Sequence, residues 1–123
     1  MKTERQKLIE RCDRMTEADF TTRVEDCLRL FGWRWTHFRP ARTEQGWRTA
    51  LAGDKGFPDY CAVRESQGDE PNRLIFFEIK GDGGKLTPEQ DEWIRLLSKT
   101  GAVVGVFWPR NWQHLEDLLR CGE

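Results

Sequence analysis

Apolar residues recur at helical spacing from Thr16 onward. Phe20, Val24, Cys27, Leu28 and Phe31 fall on one stripe of a helix that opens at T-E-A-D, a sequence with the form of a capping box, and stops before Gly32. Glu17 lies three residues before Phe20, so it projects near that stripe and not onto the solvated side. Trp33 to Phe38 is short and aromatic, which suits a strand. Arg39 to Gly56 keeps no period and reads as a long irregular stretch, of a length that in a compact domain is usually functional or mobile.

The second half has the pattern of a sheet. Tyr60 to Arg64 reads as a strand, S-Q-G-D-E-P-N as a turn, and Arg73 to Lys80 (R-L-I-F-F-E-I-K) as an apolar strand that pairs with the first as a hairpin. Thr87-Pro88-Glu89-Gln90 opens a helix with a capping residue, a proline at the first position and a glutamine three residues after the cap. That helix runs to about Thr100 and stops at Gly101. Ala102 to Trp108 is a buried type of strand closed by Pro109, and Trp112 to Leu119 suggests a last helix. Strand, helix, strand in this order is a βαβ unit, which predicts two parallel strands and a right-handed crossover. The expected fold is α/β, a central mixed sheet of four or five strands flanked by helices. In residues 1–15, Leu8, Ile9, Cys12 and Met15 have helix-compatible spacing, so this segment is a short helix, a partner contact or a loose end, and residues 16–123 are expected to form a single domain.

Composition narrows the class. The chain has 123 residues, enough to bury a core without disulfides or a structural metal, and its six Trp and seven Phe supply large buried area per residue. The formal charge of −1 gives no global sign of a polyanion binder, and the distribution of charge matters more than its sum. Five basic residues, Arg34, Arg39, Arg42, Arg48 and Lys55, stand against two acidic ones, Glu44 and Asp54, and are interleaved with Trp33, Trp35 and Trp47. Such an arm can contact phosphates and stack on bases, and it is equally compatible with a solvated loop. The four cysteines, Cys12, Cys27, Cys61 and Cys121, form no C-x-x-C pair and have no histidine at ligand spacing, which argues against a zinc site. With no signal peptide and no membrane-spanning run, the expectation is free thiols in a reducing cytoplasm, bacterial or that of a phage-infected host, and no membrane partner.

Chemistry concentrates on the central hairpin. Residues two apart in a strand share a face, so Glu78 and Lys80 point the same way from the end of an otherwise apolar strand. Asp59 enters the neighbouring strand in G-F-P-D, and if the hairpin pairs, its carboxylate approaches Glu78. Two converging carboxylates repel unless a cation sits between them, and a hard divalent ion with oxygen ligands meets that need. The carbonyl of Ile79, between Glu78 and Lys80, is a natural extra ligand. This set suits hydrolysis of a phosphodiester: the ion activates a water, Lys80 orients or helps deprotonate it and stabilises the transition state, and Glu17 adds a metal contact, direct or through water.

G-F-P-D (Gly56 to Asp59), then E-I-K (Glu78 to Lys80), G-K-L-T-P-E-Q-D-E-W (Gly84 to Trp93) and V-F-W-P (Val106 to Pro109) together resemble the VRR-NUC branch of the PD-(D/E)xK nuclease superfamily. The resemblance spans roughly Thr16 to Leu119 and implies a restriction-endonuclease-like fold, Mg²⁺ or Mn²⁺ as cofactor, and cleavage of branched or duplex DNA. It assigns Asp59 and Glu78 to the metal, Lys80 to catalysis, Glu17 to the helix-borne acid and Gln90 to a glutamine beside the site. Relatives include phage and bacterial stand-alone proteins, some of them dimers acting on Holliday junctions, so a homodimer and a helicase or replication and repair partner are implied. One departure is Thr21, where many relatives carry glutamine four residues after the helix acid; Glu25 is therefore the reserve candidate for that acid. Arg39, Arg42, Arg48, Lys55, Lys85 and His37 are the candidate DNA contacts.

Plainer readings exist for each residue. Glu78 and Lys80 could be a same-face ion pair at a strand end, Glu17 a helix-dipole acid, Gln90 a capping residue only, and His37 structural. Trp93 and Leu97 read as core. G-D-G-G-K (Gly81 to Lys85) lacks the spacing of a nucleoside-triphosphate loop and reads as a turn near the site, with Lys85 facing DNA. The rival functions are a protein on this fold that binds DNA or modulates a partner without cutting, and a sequence-specific or RNA-cleaving nuclease.

Overall fold

The computed structural model describes residues 1–4, 6–7, 14–38 and 52–121, with backbone alone at 41–43, 46–48 and 121. Its elements are α1 (Glu17–Leu30), β1 (Arg34–His37), β2 (Ala41–Thr43), β3 (Gly46–Arg48), β4 (Tyr60–Arg64), β5 (Arg73–Ile79), α2 (Pro88–Ser98), β6 (Val103–Phe107), a single 3₁₀ turn (Pro109–Asn111) and α3 (Trp112–Cys121). Four strands form one mixed sheet in the order β1-β4-β5-β6, antiparallel at β1/β4 and β4/β5 and parallel at β5/β6. This is the α/β architecture that the patterning predicts. Leu8, Ile9 and Cys12, the expected apolar positions of the N-terminal segment, lie outside the described residues. Met15, the fourth, packs half-buried against the core.

The irregular reading of 39–56 needs correction. Within it β2 and β3 pair as a small antiparallel ladder, with Arg42 opposite Trp47. Strands this short carry too few residues to show an alternation in sequence.

The two faces of the main sheet are unlike. On one, Tyr60, Ala62, Ile75, Phe77, Ile79 and Phe107 meet the α1 stripe Phe20, Val24, Cys27 and Leu28 and the α3 residues Leu115, Leu118 and Leu119. Tyr60 and Phe77, partners in register, stack at 4.7 Å, and Trp33 closes the end of this core by donating its Nε1–H to the Leu119 carbonyl at 2.8 Å. The fully buried aliphatic and aromatic side chains on this face each contribute about 1.5–3 kcal/mol relative to exposure, which makes it the principal core.

The other face is thinner. Phe76 is covered by Phe57, whose ring meets it edge-on at 5.7 Å and meets Trp93 of α2 edge-on at 5.0 Å. No residue of α2 is fully buried, so Trp93 and Leu97 are half-buried and not the core residues that helical spacing predicts. Among the described residues, no helix is long and apolar enough to cross a membrane. Cys27 and Cys61 are free thiols, Cys27 with its pKa pushed up to about 11 chiefly by burial.

Candidate active site

The acid pair follows from strand register. Tyr60 pairs with Phe77, so extending the antiparallel ladder by one residue brings Asp59 opposite Glu78. Lys80 donates its backbone N–H to Phe107 on the β6 side. Peptide groups alternate sides along a strand, so those of Glu78 also face β6, and Asp59/Glu78 is the pair type without mutual backbone bonds. In such pairs the Cα atoms come to about 4.5 Å and side chains are closest. Opposite residues share a face, so both carboxylates emerge on the Phe76 side, away from the principal core.

Glu78 is 1% exposed, and neither Oε1 nor Oε2 has a hydrogen-bond partner. Burial pushes its carboxyl well above the ordinary range. Asp59 raises it further, by accepting the proton of the neutral form and by its charge, Lys80 offsets part of the rise, and Glu17 adds to it. The three groups named from sequence therefore all act on Glu78 at close range. With no donor to either oxygen and a second carboxylate alongside, the ionised form of Glu78 is costly unless a cation completes it; otherwise the group keeps its proton and shares it with Asp59.

Gln90 sits beside this pair with one end already engaged. Its Oε1 accepts the Thr87 backbone N–H at 2.9 Å, while its own N–H donates to the Thr87 hydroxyl at 3.1 Å, completing a capping box. Because a backbone N–H can only donate, the bonded atom must be the amide oxygen. Nε2 is left without a partner among the described residues, and Gln90 lines a cavity together with Asp59. The capping and site readings of this residue thus coexist.

Glu17 stands at the exposed first turn of α1, where Thr16 caps the helix through the Asp19 N–H at 3.1 Å. A Cβ on Gly81 would lie 2.6 Å from the Glu17 nitrogen, so the loop just beyond Lys80 abuts the start of α1. Glu25 is elsewhere. It accepts from the Tyr60 hydroxyl at 2.6 Å and pairs with His37 Nδ1 at 3.3 Å, on the face opposite Glu78. Of the two candidate helix acids, Glu17 is the one near Glu78. His37 is half-buried and stacks on Tyr60 at 4.0 Å, which suits the structural reading and not a DNA contact.

Lys55 is exposed, 3.5 Å from Glu89, and Lys85 is exposed in the loop before α2. Arg39 lies outside the described residues, as do the side chains of Arg42 and Arg48. Among the described residues no three His, Cys, Asp or Glu side chains gather closely enough to hold an ion alone. The donor set is therefore a carboxylate pair with a third acid nearby. Such a set fits Mg²⁺, which is bound through one or two carboxylates and keeps several waters.

A mixed α/β sheet that carries two converging carboxylates and a lysine at the end of a central hairpin defines a nuclease-type hydrolase. The family model described as VRR-NUC domain matches residues 35–118, most of the chain, and the protein belongs to that family of PD-(D/E)xK-type nucleases, whose substrate is DNA. Comparison with characterised proteins and with solved structures returns no match.

Sequence reasoning missed two parts of the site. One is Pro58: a second step along the register sets it opposite Ile79, whose peptide groups face β4, and proline has no N–H to give that carbonyl. The other is the ring cluster of Phe38, Phe57 and Trp93 beside Asp59. The G-F-P-D motif held both signals, since it names a buried proline and an aromatic next to the acid.

Proposed function

We propose that the chain, through residues 16–123, is a Mg²⁺- or Mn²⁺-dependent DNA endonuclease that prefers branched DNA and acts through Asp59, Glu78 and Lys80. The observation that carries this reading is Glu78: a fully buried carboxylate with both oxygens unpartnered, facing a second carboxylate across the hairpin. Asp59, Glu78 and the Ile79 carbonyl, which lacks a backbone donor across from it, are the ligands that would hold the ion. A divalent ion bound there lowers the pKa of a coordinated water and offsets charge growing on the scissile phosphate.

The chain's own groups supply the rest. Lys80, on the Glu78 face one residue beyond β5, directs its ammonium at the phosphate oxygens and orients the attacking water. Glu17, at the start of α1, would add a contact to the ion, direct or through water. Gln90 Nε2 donates to the scissile strand from beside Asp59. Lys55, Lys85 and the arginines of the 39–48 segment, Arg39, Arg42 and Arg48, steer the DNA backbone. A cytoplasmic homodimer, working with a replication or repair partner, would bring two such sites to two strands. Sedimentation at micromolar concentration tests the dimer, and a purely monomeric boundary overturns it.

Nicking of plasmid DNA with Mg²⁺ or Mn²⁺, against an EDTA control, tests the activity. Asp59→Ala and Lys80→Ala should each lower cleavage by at least about 100-fold, the scale of losing one transition-state contact, with an unchanged circular dichroism spectrum. Full activity in both variants would overturn the mechanism. A panel of duplex, flap, splayed and four-way-junction DNA tests the preference for branches.

A further inference from the structure

Beside Asp59 lies a cavity of about 610 Å³, inside the roughly 300–1,000 Å³ range of small-ligand sites. Its apolar wall is Phe38, Phe57 and Trp93. Phe57 is clamped edge-on by Phe38 at 5.9 Å, Phe76 at 5.7 Å and Trp93 at 5.0 Å. Trp93 is fixed as well, because its Nε1–H is shared between the carbonyls of Lys55 at 3.0 Å and Asp54 at 3.3 Å. With its one hydrogen-bonding atom engaged, Trp93 offers the cavity only apolar surface. The polar side chains of the lining are Asp54 and Lys55 at the exposed rim and, beside the acid pair, the Asp59 carboxylate and Gln90 Nε2, an acceptor and a donor.

We propose that this cavity receives one unstacked nucleobase of the strand being cut, so that the preferred substrate is DNA with an unpaired or easily extruded nucleotide next to the scissile phosphate. The inference rests on the reading of Asp59 and Glu78 as the cleavage site. Asp59 belongs to both the acid pair and the cavity wall, so a strand whose phosphate reaches the pair has a neighbouring base at the cavity mouth. Rigid aromatic walls suit the face of any base, which makes the recognition tolerant of sequence. In an intact duplex that base is paired and stacked, and drawing it out costs a few kcal/mol; at a branch or mismatch the cost is least. A preference for branched DNA then follows from the cavity itself, with no need for a surface that reads the whole junction.

Two measurements on the full chain test this. A splayed DNA with a mapped cut is rebuilt with an abasic residue at each nucleotide around the cut. The loss of one stacked base should lower kcat/KM by about 5- to 150-fold at a single position beside the cut and by less than about two-fold elsewhere. Independently of cleavage, 5-iodouracil placed at that unpaired position should photo-crosslink to Phe38, Phe57 or Trp93 in EDTA. Ala52→Trp, at the exposed lip of the cavity, should remove the crosslink without changing the melting temperature.

A flat abasic scan on DNA that is cut, with crosslinks only outside the cavity, overturns the proposal. A crosslink in the cavity on a protein that cuts nothing with either metal supports the base site and overturns the cleavage reading instead.

Discussion

Replacing Glu78 by glutamine should strengthen the metal-free fold while destroying the site. Glu78 is 1% exposed with both oxygens unpartnered, and burial together with Asp59 raises its pKa from 4.5 to about 9. A carboxyl held higher in the folded state than in the unfolded one binds a proton on folding between those two values. Its contribution is therefore full below pH 4.5 and is lost as pH rises toward 9, so stability falls with pH across that window. Near pH 7.5 the gap is three pH units above the unfolded value, worth about 4 kcal/mol at 1.36 kcal/mol per unit. Relaxation around the charge lowers this, so Glu78→Gln, which keeps the shape and has no charge to bury, should gain about 2–4 kcal/mol in EDTA near neutral pH. At pH 4.5 and below the two proteins should be about equal.

Urea denaturation at several pH values, in EDTA and in Mg²⁺, measures this directly. Mg²⁺ at about 1,000 times its Kd should reverse the order, since an ion that binds only the folded state then adds about 4.1 kcal/mol, and only the wild type holds it well. A variant less stable than wild type in EDTA near neutral pH, or a gap that does not shrink on acidification, would refute the reasoning.

Two further changes probe the frame around the site. Gly56 has φ 98°, and a Cβ there would meet the Glu89 carbonyl carbon at 2.7 Å and the Gln90 nitrogen at 2.9 Å. Gly56→Ala should cost about 2–4 kcal/mol by melting temperature, from left-handed strain and the clash together, and should lower cleavage because Asp59 lies just three residues on; an unchanged melting temperature would contradict the close approach. Trp33→Phe removes the indole N–H and its second ring, leaving the Leu119 carbonyl with only the Arg64 Nη1–H at 3.3 Å in place of its 2.8 Å donor, and should lower stability by about 1–3 kcal/mol in urea, with cleavage unaffected once the protein is folded.

What could be read in the sequence was whatever local pattern decides. The hairpin of β4 and β5 was legible because its apolar runs are bounded by a polar turn, and the start of α2 because Thr87 and Gln90 announce a capping box that the fold then forms. The β2/β3 ladder was not, since three-residue strands show no period. Nor could helical spacing reveal which sheet face a helix covers. Trp93 has the spacing of a core residue, yet α2 lies over the thinner face, where the ring lines a cavity beside the acid. The same blindness left Glu17 and Glu25 undecided: both sit on α1, and only the register of Tyr60 against Phe77 separates the face that Glu25 serves from the one that carries Glu78.

Segments distant in sequence meet at Glu78, and the single proton that Glu78 shares with Asp59 is too local a bond to be what holds them there. The cohesion is steric and backbone in origin. The loop bearing Asp59 is anchored by buried Pro58, by Phe57 among three rings and by Gly56 against the first turn of α2. The start of α1, bearing Glu17, is set by Gly81 against its backbone and by the Asp82 N–H donated to the Met15 carbonyl at 3.3 Å. None of these contacts uses a carboxylate, so removing one acid does not release its neighbours. A loss of cleavage in Asp59→Ala would therefore report on chemistry, since the same substitution takes away the bond to Glu78 and none of the backbone and packing contacts that shape the site.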